Sequence, residues 1–184
     1  MLQSVKALRG GPILARDEKF GFVLDLYFDD RRWVLRYFVA DTGRPMPQRS
    51  VLLAPSSIDS LDPAGGLHAA LTRKEIEKLP DWLTERPVYL QHDMTPTGQP
   101  GDEHLRSSEF VLSCSVQARD GALGHVADLL LDAQDWAIPS LVIDTGHWLP
   151  GRRLRVRTDA VEHIDWAGHE VRLRLAREEI LAPA

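Results

Sequence analysis

The feature that most constrains this 184-residue chain is an internal repeat. Leu2 to Gly66 laid over Leu105 to His169, at a constant offset of 103, gives 20 identities in 65 positions without a gap. The matches include Ser4 with Ser107, Gly21 with Gly124, Asp25 with Asp128, Asp29 with Asp132 and Trp33 with Trp136. Two triplets also recur, Ala15-Arg16-Asp17 as Ala118-Arg119-Asp120 and Asp41-Thr42-Gly43 as Asp144-Thr145-Gly146. One extra residue in the second copy then sets Leu71 to Ile76 over Leu175 to Ile180. A period of this length makes each copy one folding module. The modules span 1–79 and 105–184, and the segment 80–104, with Pro80, Pro87, Pro96, Pro100, Gly98 and Gly101, reads as a connector. Trp82, Leu83, Val88, Tyr89 and Leu90 give its first part enough apolar surface to pack.

Within each copy, short runs rich in aromatic and aliphatic residues alternate with turn residues. In the first copy the runs are Phe20 to Phe28, Trp33 to Ala40, Ser50 to Ala54 and Leu67 to Leu71. About five short strands are too few for a sandwich, so each copy is expected to close into a small barrel that leaves no free edge. A short helix follows the last strand of copy one, because Thr72 and Glu75 have capping-box spacing. Copy two has Ala176 at the cap, and the cap is expected to be lost there. The expected fold class is all-β with short helices, as two tandem small β-barrels.

These residues resemble the PRC-barrel family, named for the cytoplasmic domain of the photosynthetic reaction-centre H subunit. In copy one the resemblance rests on Gly21 to Asp29, Trp33 to Gly43 and Ser50 to Pro55, and in copy two on Trp136 to Arg152. The closing segments Leu71 to Ile76 and Leu175 to Ile180 resemble the family's end signature. The resemblance implies two PRC-type barrels. It also implies non-enzymatic interaction or scaffold roles, since the family includes the H subunit, whose barrel caps the reaction centre, and RimM-type factors, which bind a ribosomal protein. No run in this sequence resembles the H subunit's transmembrane helix, and two modules are expected in place of one.

Composition narrows the classes further. With 27 acidic against 22 basic residues the net charge is −5, which argues against non-specific nucleic-acid binding by the chain as a whole. No apolar run approaches the roughly 18 residues a membrane-crossing helix needs, and Met1 to Ile13 does not read as a secretory leader. A single cysteine, Cys114, allows no internal disulfide, so a reducing compartment, the cytoplasm, is expected.

Three chemical readings compete with simple structure. Two Asp-Thr-Gly turns, at Asp41 and Asp144, could hold a shared-proton carboxylate pair of the aspartic-hydrolase type. Arg44 and His147 follow where that turn needs a small residue, and a strand-ending turn capped by Asp, with Gly at positive φ, is the simpler reading. Of the seven histidines, four fall in the second copy and a fifth, His104, just before it, none with metal-ligand spacing, so no metal or cofactor is expected. Cys114 has no acid–base partner in sequence and reads as a small buried thiol. The recurrence of Asp25/Asp128 and Asp29/Asp132 points to shared strand and turn requirements.

The two copies differ most where they keep the same pleat. Arg153, Arg155 and Arg157 alternate with Leu154 and Val156, and Arg172 and Arg174 alternate with Val171, Leu173 and Leu175. Period two puts the arginines outside and the aliphatics inside. The aligned outward positions of copy one include Leu52, Ala54 and Ala70, a face expected to be covered by the other barrel, the connector or a second chain. Trp148 and Trp166, which replace prolines of copy one, complete the candidate interaction surface. The partner this surface suggests is a protein or a second copy of the chain, with RNA of the ribosome-factor kind as the alternative.

Overall fold

The computed structural model of the chain describes residues 1–41, 50–79, 104–146 and 153–181. The first half supplies β1 (Leu2–Ser4), β2 (Pro12–Leu14), β3 (Lys19–Asp29), β4 (Val34–Asp41), β5 (Ser50–Leu53), β6 (Ile58–Leu61) and β7 (Leu67–Ala69). The second supplies β8 (Leu105–Ser107), β9 (Ser115–Ala118), β10 (Gly121–Asp132), β11 (Ser140–Asp144), β12 (Arg153–Arg157), β13 (Val161–Asp165) and β14 (Glu170–Leu173). Among the described residues four short helices accompany them: α1 (Val5–Leu8), α2 (Arg73–Ile76), α3 (Ser108–Leu112) and α4 (Arg177–Leu181). β1, β2 and β6 escape sequence reading because three or four residues are too few to display a period. The connector expected over 80–104 lies, apart from His104, outside the described residues.

Two seven-stranded sheets result, ordered β5-β4-β3-β2-β7-β6 and β12-β11-β10-β9-β14-β13, each with one further strand attached beside its longest member. Neither path is closed by a strand ladder among the described residues. The two end strands of each path are consecutive in the chain and joined by a single 3-10 turn, Pro55–Ser57 or Thr158–Ala160. Each sheet therefore bends round until its ends meet at that corner. The closed ladder expected from sequence is not found among the described residues; a turn stands at this seam in each sheet, and in the first it opens on Pro55, which has no amide to offer a ladder.

The seventh strand of each sheet comes from the other half. β1 pairs antiparallel with β10, Leu2 opposite Asp132 and Ser4 opposite Leu130. β8 pairs with β3 in the same register, Leu105 opposite Asp29 and Ser107 opposite Tyr27. The boundaries read from sequence at 79 and 105 therefore do not divide the sheets. Buried side chains from both halves, from Val5 and Leu8 through Phe28 and Phe38 to Leu141 and Val171, form one contiguous cluster.

The tips of the two long hairpins lock the halves a second time. Asp29 Oδ1 accepts from the Arg31 and Arg32 amides at 2.9 and 3.0 Å, and Asp132 Oδ1 accepts from the Gln134 amide at 3.0 Å. Each turn ends on a tryptophan held at positive φ, 52° for Trp33 and 62° for Trp136, a conformation that costs a non-glycine residue about 1 kcal/mol or more. The strain is offset by reciprocal bonds. The Leu35 amide donates to the Trp136 carbonyl at 2.8 Å and the Ile138 amide to the Trp33 carbonyl at 2.6 Å. Trp33 also stacks on Phe28 at 5.2 Å, and Trp136 meets Phe38 edge-on at 5.9 Å. Close approach explains one repeated glycine: at Gly124, φ 152°, a Cβ would lie 2.0 Å from the Asp144 carbonyl oxygen.

Candidate interaction surface

The acidic residues that recur between the copies are occupied by the fold. Asp25, 8% exposed, accepts from Ser107 Oγ at 2.5 Å, Ser108 Oγ at 2.6 Å, the Glu109 amide at 3.0 Å and the Leu26 amide at 2.8 Å. Burial pushes its carboxyl above the ordinary range, although each of these bonds pulls the other way. Asp128 does the same work at the other junction, accepting from Ser4 Oγ and from the Lys6 and Leu129 amides at 2.9 and 2.8 Å. Ser4 and Ser107 are the N-caps of α1 and α3, each accepting from the amide three residues on. The repeated serine thus caps a helix and, through its hydroxyl hydrogen, ties that helix to a carboxylate of the opposite half.

The Ala-Arg-Asp triplets are explained in the same way. Asp17 Oδ1 accepts from the Arg73 amide and Asp120 Oδ1 from the Arg177 amide, both at 2.9 Å, so each aspartate satisfies the first free amide of its copy's last helix. The bond from Arg177 holds the exposed Asp120 carboxyl below the usual range. The expected capping box is present at Thr72 and Glu75. In copy two it is only half lost: Ala176 has no hydroxyl, but its amide still donates to Glu179 Oε2 at 2.6 Å.

At the Asp-Thr-Gly turn of copy two, Asp144 Oδ1 accepts from the Gly146 amide at 2.9 Å and Gly146 has φ 56°, which is the turn geometry expected from sequence. Asp41 and Asp144 stand on different sheets, Asp41 between Phe22 and Ser50 and Asp144 between His125 and Arg153. Thr42 and Gly43 lie outside the described residues. Cys114 is buried, its Sγ 3.4 Å from the Phe110 carbonyl oxygen, and burial raises its thiol to about 12. Among the described residues no three His, Cys, Asp or Glu side chains converge on a point where they could hold a metal. No helix among them is long and apolar enough to cross a membrane.

The arginines fall where the alternation puts them. Arg153, Arg155, Arg157, Arg172 and Arg174 are exposed, while Val156, Val171 and Leu173 are buried and Leu154 and Leu175 half-buried. They form two groups, since β12 ends the path and three strands separate it from β14. On β12, Arg155 Nε donates to Ser140 Oγ at 2.9 Å and Arg157 Nε to Asp159 Oδ2 at 2.9 Å. On β14, Arg172 Nε donates to Glu170 Oε1 at 2.8 Å.

Arg174 borders two grooves that also share Glu162. One, about 620 Å³, runs over the outer side of β9 and β14 and includes Arg119, Glu170 and Arg172. The other, about 570 Å³, lies between the halves, with Asp30, Trp33 and Arg106 on one wall and Asp159, Glu162 and His163 on the other. Two of its lining residues, Asp30 and Arg106, form a part-buried ion pair. Arg106, 9% exposed, donates from Nε to Asp30 Oδ2 at 2.5 Å, and its guanidinium carbon sits 4.1 Å from the centre of the Trp166 ring. His104 Nδ1 is 3.0 Å from the other oxygen of Asp30. Sequence reading missed Asp30, His104 and Arg106, because none alternates or recurs and the pairs are 74 and 76 residues apart.

The apolar members of the candidate surface are largely covered. Leu52 is 4% exposed and packs with Tyr27, Val39 and Leu105, with Tyr37 at the margin, so it belongs to a small second core. Leu105 opens β8, the strand contributed by the other half, and that strand removes Leu52 from the open surface. Ala54 and Ala70 are half-buried. Trp166 is half-buried too, packed on Phe110 at 4.4 Å and under Arg106. Trp148 lies outside the described residues. The large apolar side chains that are exposed include Phe22 and Leu24 on β3, at 44% and 41%, neither singled out from sequence. No family profile and no curated protein matches the chain.

Proposed function

We propose that the chain is a tandem PRC-type protein that acts without catalysis, as an interaction or scaffold module binding a protein partner through its charged outer face. The observation that carries this reading is the division of labour among its ionisable groups. The recurring aspartates and Cys114 are spent on caps, turns and the core, whereas Arg172, Arg174 and Glu162 stand exposed around two open grooves. Mixed charge of this kind over a mostly apolar interior suits recognition of a polar protein surface, where electrostatics set orientation and rate. The PRC-type reading is supported by the 103-residue repeat and by the parallel strand orders of the two sheets.

The test is affinity capture with the wild-type chain and with an Arg172→Glu/Arg174→Glu variant, after nuclease treatment, followed by titration of whichever protein is retained. Loss of at least tenfold in affinity in the variant, with unchanged melting, is the expected result. Equal binding by both chains would overturn this surface as the site. The exposed row Arg153, Arg155 and Arg157 favours RNA as a second reading. It requires salt-sensitive RNA binding that Arg153→Glu and Arg155→Glu abolish.

A further inference from the structure

We infer that a second copy of this chain can take the place of the chain's own other half, giving a dimer in which halves are exchanged between copies. The strand pairings, the cap-serine bonds and the tryptophan turns that join the halves recur at both junctions, whereas the bonds of His104 and Arg106 to Asp30 and of Ser108 to Asp25 are made at one only. β1 meets β10 and β8 meets β3 in matching register, Leu2 and Leu105 opposite Asp132 and Asp29, Ser4 and Ser107 opposite Leu130 and Tyr27. Asp128 and Asp25 each hold the cap serine of the arriving helix. The Trp33 and Trp136 turns exchange one amide each. These matched contacts relate the two junctions by an approximate two-fold, and each junction can form equally well with the complementary half of another copy.

Nothing in these contacts specifies that both halves belong to one polypeptide. Only the 24 residues from 80 to 103 do so. Pairing between chains competes with pairing within one chain as the concentration at which chains refold rises. Once formed, the exchanged dimer keeps all the inter-half contacts and can revert only by opening both junctions.

The experiment refolds unlabelled and nitrogen-15-labelled wild-type chains together from denaturant over a series from 1 to 300 μM, then dilutes all samples to 1 μM and weighs them under native conditions. Monomer from dilute refolding is expected, with a dimer fraction that rises with refolding concentration, contains mixed-label pairs and survives dilution for hours. Monomer at every concentration, or a dimer that exchanges labels without denaturant, would overturn the inference. A second reading uses Leu2→Cys/Asp132→Cys in a Cys114→Ala background, oxidised after refolding. The dimer fraction should run as a covalent dimer on a denaturing gel and the monomer fraction as a monomer. A disulfide that closes within single chains of the dimer fraction would refute half exchange and leave an ordinary surface dimer.

Discussion

Replacing Asp25 by alanine removes the acceptor on which the β8–α3 arm of the second half is seated. Ser107 Oγ and Ser108 Oγ, both on buried residues, and the part-buried Glu109 amide lose their partner together. Leaving two buried hydroxyls and one amide unsatisfied costs about 3–4 kcal/mol gross, and removing a carboxylate that burial already disfavours returns part of it. The net loss should be about 2–3 kcal/mol. Asp128→Ala is the internal control. Its carboxylate is only half-buried, and the amide it holds at Lys6 is exposed, so the loss there should be about 1 kcal/mol. Urea titration at pH 7 with unchanged slope measures both, and hydrogen exchange should show β8 amides losing protection in the Asp25 variant alone. Equal losses in the two variants, or an Asp25→Ala change within about 0.5 kcal/mol of wild type, would refute the argument that burial decides the weight of these bonds. The pH dependence gives an independent check. A carboxyl raised in the folded state contributes stability that is complete below its unfolded pKa and is lost as pH rises through its folded value. The stability advantage of wild type over Asp25→Asn should therefore shrink as pH rises from the ordinary carboxylate range upward.

Ala176→Thr should complete the half-formed capping box at α4 and stabilise the chain by about 0.5–1 kcal/mol, read as a raised melting temperature. Leu52→Arg forces a guanidinium among Tyr27, Val39 and Leu105, and at least about 3 kcal/mol should be lost in urea titration. A fold as stable as wild type would return Leu52 to the surface. Cys114, with its thiol pushed up to about 12, should resist disulfide-exchange reagents at pH 8 and react stoichiometrically only in denaturant.

What could be read from the residues alone was what is local. The alternation of Arg153, Arg155 and Arg157 with Leu154 and Val156, the Thr72–Glu75 box and the Asp144 turn each lie within five residues, and the structure reproduces them. The repeat also marked Asp25 and Asp29 as shared strand and turn requirements, though not what they touch. What only the tertiary structure decided was partnership. A three-residue strand such as Leu105–Ser107 has no period of its own, and whether it joins the nearer or the farther sheet depends on the total contact it gains there. That choice buries Leu52, seats Ser107 on a carboxylate 82 residues away and brings Arg106 to Asp30 at the groove. Side-chain period and turn chemistry act over a few residues, whereas the junction between the halves is held by bonds that exist only once both sheets have formed.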